Sequence, residues 1–262
     1  MKKIPLFFLL LSNLVFSQEN YTIAIKTDSL QLHTDVYLGQ DVYGAWYGIT
    51  ENTLSKRLKN KDWQYKNPAL GKIAKVDLQN PLQIVLFYES FNTVVILDNQ
   101  LNETQKIEFG KIANPFVATA VGLAFGNRLW VYNTLSQKVG LYNYLKNDYR
   151  EITTPCSGSV KHYASDFNYF QWIDDQSDWY RCDIYGKVKT LGKVPAAEQL
   201  QLVADGGLIY KNDQKLYFLD LNGNTHPLVD VDKKTYQSFL YKDKILAIFT
   251  KQGITNYKIT LP

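Results

Sequence analysis

The sequence is poor in the residues from which catalytic and metal sites are usually built. It holds two cysteines and three histidines. No Cys-x-x-Cys, His-x-x-x-His or His-Cys spacing links them, so neither a dithiol redox motif nor a zinc site is written locally. His33, His162 and His226 fall far apart and read as ordinary surface or strand-edge residues. Ser157-Gly158-Ser159 lacks the G-x-S-x-G frame of a nucleophile elbow. Gly206-Gly207 belongs to a hairpin and not to a phosphate-binding loop. No catalytic residue, metal or cofactor is therefore assigned, and nothing in the sequence points to an enzyme, although an active site can also assemble from scattered loops. Cys156 and Cys182 leave one possible disulfide, open because spacing alone cannot bring two Cα atoms within about 7 Å.

An excess of one charge is missing too. Lys and Arg total 29 against 25 Asp and Glu, a net +4 that gives no reason to expect nucleic acid. The one basic cluster, Lys56, Arg57, Lys59 and Lys61, reads as a solvated loop or strand edge. After the first 17 residues no apolar run approaches the roughly 20 residues of a membrane helix. Amphipathic stretches of helical period are absent, and no Pro/Gly/Ser-rich linker divides the chain.

What is present begins with a targeting segment. Lys2 and Lys3 precede an apolar stretch over residues 4–16, and Val15 and Ser17 occupy the −3 and −1 positions of a signal-peptidase site. Residues 1–17 thus read as a cleavable signal peptide and residues 18–262 as a single domain with Gln18 as its new N-terminus. No cysteine sits at the cleavage point to accept a lipid. The expectation is an exported, periplasmic or secreted protein with no membrane span after cleavage.

The remainder consists of runs of five to seven residues rich in Tyr, Phe, Val, Ile and Thr, separated by Asn, Asp, Gly or Lys. That is the signature of many short strands. One unit repeats. Residues 200–204, 207–210, 215–220 and 224–229 form four strands joined by Asp205-Gly206, Asn212-Asp213 and Asn222-Gly223, residue types that tolerate tight hairpins. A third-strand motif ending in Asp or Asn recurs at residues 94–98, 129–133, 179–183 and 216–220. Strands such as residues 245–249 are apolar at successive positions, as expected of sheets covered on both faces.

The last unit, residues 237–261, is one strand short, and residues 21–25 form a strand with no hairpin partner nearby. The N-terminal strand is thus expected to complete the last unit. The units fall at residues 32–65, 73–109, 116–144, 160–191, about 200–229 and 237–261, with an insertion at residues 145–159. This organisation resembles the β-propeller superfamily in general. No Trp-Asp ending, YWTD tetrad or kelch double glycine places it in a named group. The resemblance implies an all-β, six-bladed β-propeller of four-stranded antiparallel blades, five or seven blades being the alternatives. It carries no functional residues with it.

Candidate binding positions are few. Phe91 lies at a hairpin tip, and Tyr149 and Arg150 lie in the insertion, where function often sits on a rigid scaffold. Asp174 and Asp175 mark the hairpin of the fourth unit, where turn chemistry competes with a role as paired carboxylates. The aromatic groups Trp46-Tyr47, Trp63-Tyr65 and Tyr169-Phe170-Trp172 read first as packing between blades. These features point to an exported, monomeric, protein-interaction or envelope-component binding module of a Gram-negative envelope, its partner an envelope protein or glycan. The alternative is a carbohydrate-binding or glycoside-cleaving protein, which needs two carboxylates within roughly 5–10 Å in a pocket.

Overall fold

A computed structural model describes residues 24–30, 34–204, 206–213, 215–228, 237–250 and 253–262. The targeting segment and His33 lie outside the described residues. The chain enters as β1 (Ile25–Leu30) and then builds blade one from β2 (Val36–Gln40), β3 (Trp46–Thr50), β4 (Thr53–Leu58) and β5 (Lys61–Tyr65). Blade two is β6 (Lys75–Asp77), β7 (Ile84–Tyr88), β8 (Thr93–Leu97) and β9 (Glu103–Glu108). Blade three is β10 (Ala118–Ala124), β11 (Arg128–Asn133), β12 (Lys138–Asn143) and β13 (Asp148–Glu151). Blade four is β14 (Val160–Ser165), β15 (Tyr169–Asp174), β16 (Asp178–Asp183) and β17 (Val188–Lys193). Blade five is β18 (Gln199–Leu202), β19 (Leu208–Asn212), β20 (Lys215–Leu219) and β21 (Thr225–Pro227). Blade six is β22 (Ser238–Lys242), β23 (Ile245–Thr250) and β24 (Gly253–Lys258), with β1 as its outer strand.

Six four-stranded antiparallel sheets thus make a six-bladed β-propeller. The N-terminal strand closes the last blade, pairing Ile25 with Lys258 and Leu30 with Ile254. It begins at Ile25, where the sequence pattern had placed its end. The blade limits follow the repeat except in blade three, where the pattern slips by one strand. Residues 129–133 are the second strand β11, not a third strand, and the supposed insertion contains the fourth strand β13. The slip has a physical origin: β10, β11 and β12 are all apolar at successive positions and look alike.

Burial explains the missing alternation. Every residue of β7 and of β8 is buried, because each face of a middle strand meets a neighbouring blade. Outer strands such as β17 are almost wholly exposed or half-exposed. The aromatics fill the wedges: Tyr47, Trp130, Phe170, Trp172 and Trp179 are all fully buried. Each large apolar side chain so buried contributes about 1.5–3 kcal/mol.

The strand-ending acids fix turns. Oδ1 of Asp98 accepts the N–H groups of Gln100 and Asn102, and Oδ1 of Asp183 and Asp220 accept the equivalent pairs two and four residues on. Asp41 does the same for Tyr43 and Ala45, and its Oδ2 accepts the Tyr47 hydroxyl at 2.8 Å.

The basic cluster at residues 56–61 does not sit together in solvent. Lys56 is buried in β4, and its Nζ donates to Asn99 O at 2.8 Å and lies between the Tyr47 and Trp63 rings. An inward-facing residue of a middle strand has no route to solvent, so its charge is met by Asp41 at 3.8 Å and by ring faces.

Side chains bridge the blade interfaces near the axis. Asp77 and Gln79 bond both backbone groups of Leu123, Gln171 donates to Val203 O, and Gln201 bonds both backbone groups of Tyr241. Lys242 Nζ reaches Gln40 O across the closing interface at 2.8 Å. These contacts hold the inner strands as a rigid ring around a channel.

Candidate functional site

The inner strands β2, β6, β14, β18 and β22 end at one mouth of the axial channel, a cavity of about 420 Å³. Further along the axis the channel continues as a space of about 300 Å³ beside Lys75, Lys161, His162 and Tyr163. A third space of about 260 Å³ lies towards the opposite face, lined by polar groups that include Glu89, Thr134, Gln137 and Ser159.

The wide mouth is set in an apolar collar. The loop after the inner strand presents Val42 in blade one, Leu82 in blade two, Phe125 in blade three and Phe167 in blade four, at 78, 58, 62 and 39% exposure. Val42 and Phe167 also line the cavity. The Phe125 N–H donates to Phe167 O at 2.8 Å, so two of the four loops are joined. In blades five and six the corresponding positions are Gly206-Gly207 and Asp243-Lys244, and the apolar arc stops there. Large exposed apolar side chains grouped around a cavity are the usual mark of an interaction surface.

Inside the mouth the charged groups are mostly engaged. Asp77 accepts from Leu123 N at 2.7 Å and Gln79 N at 2.8 Å, and enclosure by protein nevertheless raises its pKa. A side chain at Gly122 would sit 3.4 Å from Asp77 Oδ2 and closer still to the Ser165 hydroxyl, so glycine lets the inner strands approach here. Lys75 extends towards blade four, its Nζ 5.2 Å from the Tyr163 ring. Lys75 is open to channel water yet ringed by protein, and that enclosure lowers its pKa while Asp77 acts the other way. Tyr163 is raised, chiefly by burial.

The sequence-derived candidates fall elsewhere. Phe91 sits in a short 3-10 turn, Glu89–Phe91, on the opposite face, and is half-exposed with its ring over Gly71, where a Cβ would meet it at 3.1 Å. Tyr149 is half-buried in outer strand β13, its ring tilted by 33° against Phe116 with centroids 4.0 Å apart, and Arg150 is exposed beside it. Asp174 is buried, its Oδ1 accepting the N–H groups of Gln176 and Asp178, so it holds a turn. Asp175 is exposed and accepts the Ser159 hydroxyl at 3.0 Å. The two carboxylates therefore do different work. Phe91, Asp175 and the connection before β14 share one face, the one opposite the collar.

Cys156 and Cys182 are free thiols in the structure, both within the apolar cluster between blades three and four. Burial raises both pKa values, that of Cys182 to about 12, so neither thiol ionises readily near neutrality. His226 lies 3.4 Å from Asp220, whereas His162 lines the channel. Among the described residues no group of three or more His, Cys, Asp or Glu is placed to hold a metal ion. No helix of the described residues is long and apolar enough to cross a membrane.

Sequence reasoning missed the collar because its members are single apolar residues in four separate loops. Only the ring brings them together. The available signal was that residues 42, 82, 125 and 167 each lie in the loop between the first and second strands of a blade, which shows once the blades are phased.

No protein-family model and no curated protein matches the sequence. Solved structures do match in fold. A streptogramin B lyase superposes with a TM-score of 0.57 at 11% identity, over 92% of this chain and 88% of the other. The Swd1 β-propeller domain of Myceliophteria thermophila gives 0.57 at 9% identity, over 91% of this chain and 100% of that domain. YCF48 bound to a D1 peptide gives 0.54 at 12% identity, over 92% and 98%. At such identities the likeness is one of fold: this chain is a β-propeller.

Proposed function

We propose that this protein is an exported binding module that holds a partner polypeptide on the collar face of its propeller. The observation that carries the reading is the arc of Val42, Leu82, Phe125 and Phe167 around a cavity of about 420 Å³. An apolar rim with a central recess suits a loop of another protein, with one side chain anchored in the mouth and neighbours seated on the rim. The recess is too small for a folded domain, and the polar positions in blades five and six orient the bound segment. YCF48, a propeller of similar fold, was solved with a peptide bound, which supports the general mode without identifying a partner. Export rests on residues 1–17 and places that partner in the envelope or outside the cell.

The test is purification of a tagged copy after crosslinking in intact cells. A variant carrying V42S, L82S, F125S and F167S is compared with F91S on the opposite face. The reading expects one envelope protein to be captured by wild type and by F91S and lost with the collar variant. Capture that depends on Phe91 and not on the collar moves the site to the other face. Retention of a glycan in place of a protein favours the carbohydrate-binding alternative.

A further inference from the structure

We infer that the axial channel is a binding site for a small oxyanion, a carboxylate or phosphate group, held by Lys75 with Lys161 and His162. The inference goes beyond the collar reading and stands without it.

Three observations carry it. First, the Lys75 ammonium has no hydrogen-bond acceptor and no salt-bridge partner among the described residues; its near neighbour is the face of Tyr163 at 5.2 Å. An ammonium group carries three donors, and here the fold meets none of them: they face the water of the channel, where an entering anion finds them free. Second, the nearby carboxylate is already occupied. Asp77 is bonded by the N–H groups of Leu123 and Gln79, so it offsets the charge of Lys75 without pairing with it. Third, Lys161 and His162 line the same 300 Å³ space, whose other walls are Leu200, Leu202, Leu240 and the Gln201 side chain. Gln201 is committed to the backbone of Tyr241 and competes for no ligand.

The electrostatics agree with the geometry. His162 is lowered by enclosure and then by Lys75 and Lys161, which sets three basic groups near one another, with Asp77 acting on Lys75 from the other side. A bound oxyanion relieves this repulsion and supplies acceptors to Lys75. The space admits a small dicarboxylate or phosphate ester, and the wide mouth gives it a way in.

The experiment titrates the full mature protein, at low ionic strength and pH 7, with sodium succinate in one arm and inorganic phosphate in the other. The signal is the Cε resonance of the lysines, assigned by comparison with K75M. Saturable binding of at least one probe is expected, weakened about tenfold or more in K75M, as loss of a charge-assisted hydrogen bond implies, and largely retained in K75R. K161M should weaken it less. The collar variant should bind as wild type, which separates this site from the docking face. Whichever probe binds more tightly names the ligand chemistry. Melting temperatures of K75M and K75R check folding. No saturable binding in either arm, equal affinity in K75M, or equal competition by neutral succinamide overturns the inference.

Discussion

Replacing Gln171 by leucine should destabilise the ring out of proportion to the change in size. Gln171 is fully buried in β15, where its amide donates to Val203 O in blade five and its Oε1 accepts the Trp179 indole N–H at 3.2 Å. Leucine leaves that indole N–H buried without a partner, whereas Val203 O keeps the Gly206 N–H at 3.0 Å. The orphaned donor costs about 1–3 kcal/mol and the lost second bond to Val203 O about 0.5–1.5 kcal/mol, together about 1.5–4.5 kcal/mol. Burying leucine in place of an amide returns about 1 kcal/mol of this. In a domain of this length 1 kcal/mol moves the melting temperature by roughly 2–4 °C, so Q171L should melt roughly 3–10 °C lower. Differential scanning calorimetry reads it directly, and W179F in the Q171L background should recover part of the loss by removing the orphaned donor. Gln105, half-buried and donating to Tyr144 O from an outer strand, gives the control, with Q105L costing under about half as much. A Q171L midpoint within about 2 °C of wild type refutes the claim that side-chain bridges near the axis hold the blades together.

Other outcomes follow from the same structure. A chain starting after residue 33 lacks β1, leaving blade six with three strands and β24 with an open edge; it should melt lower and self-associate in size-exclusion chromatography. At high pH the buried tyrosines oppose folding. Burial raises Tyr37 and Tyr132 to about 12, helped by Asp28 for the first and by Cys156 and Asp175 for the second. Their contribution to stability is present below the ordinary value of 10.0 and is lost as pH rises from there towards 12. The part of the tyrosinate absorbance that comes from buried tyrosines should therefore appear as a late step, and its midpoint should coincide with loss of the circular dichroism signal.

Much of this fold was legible in the sequence because its signals are local. The Asp that ends a third strand bonds backbone within four residues of itself, so Asp98, Asp183 and Asp220 announced their turns. The unpaired strand at the start and the short last unit announced the closure of the ring. Blade three was misread because β11 has the same all-apolar run as a third strand, and which neighbour it faces is a matter of tertiary packing. The site was harder for the same reason. Phe91 is conspicuous in a hairpin, whereas Leu82 and Phe125 look like isolated surface residues until the ring sets them beside one mouth. Lys75 gave no sign at all, since nothing near it in sequence shows that it reaches the Tyr163 ring two blades away.

The most direct test of the collar as the working face is a photo-crosslinking amino acid placed, in separate copies, at positions 125 and 91 and activated in intact cells. The account predicts a discrete crosslinked protein from position 125, lost when Val42 and Phe167 are changed to serine, and none from position 91. A discrete product from position 91 with none from position 125 would contradict it.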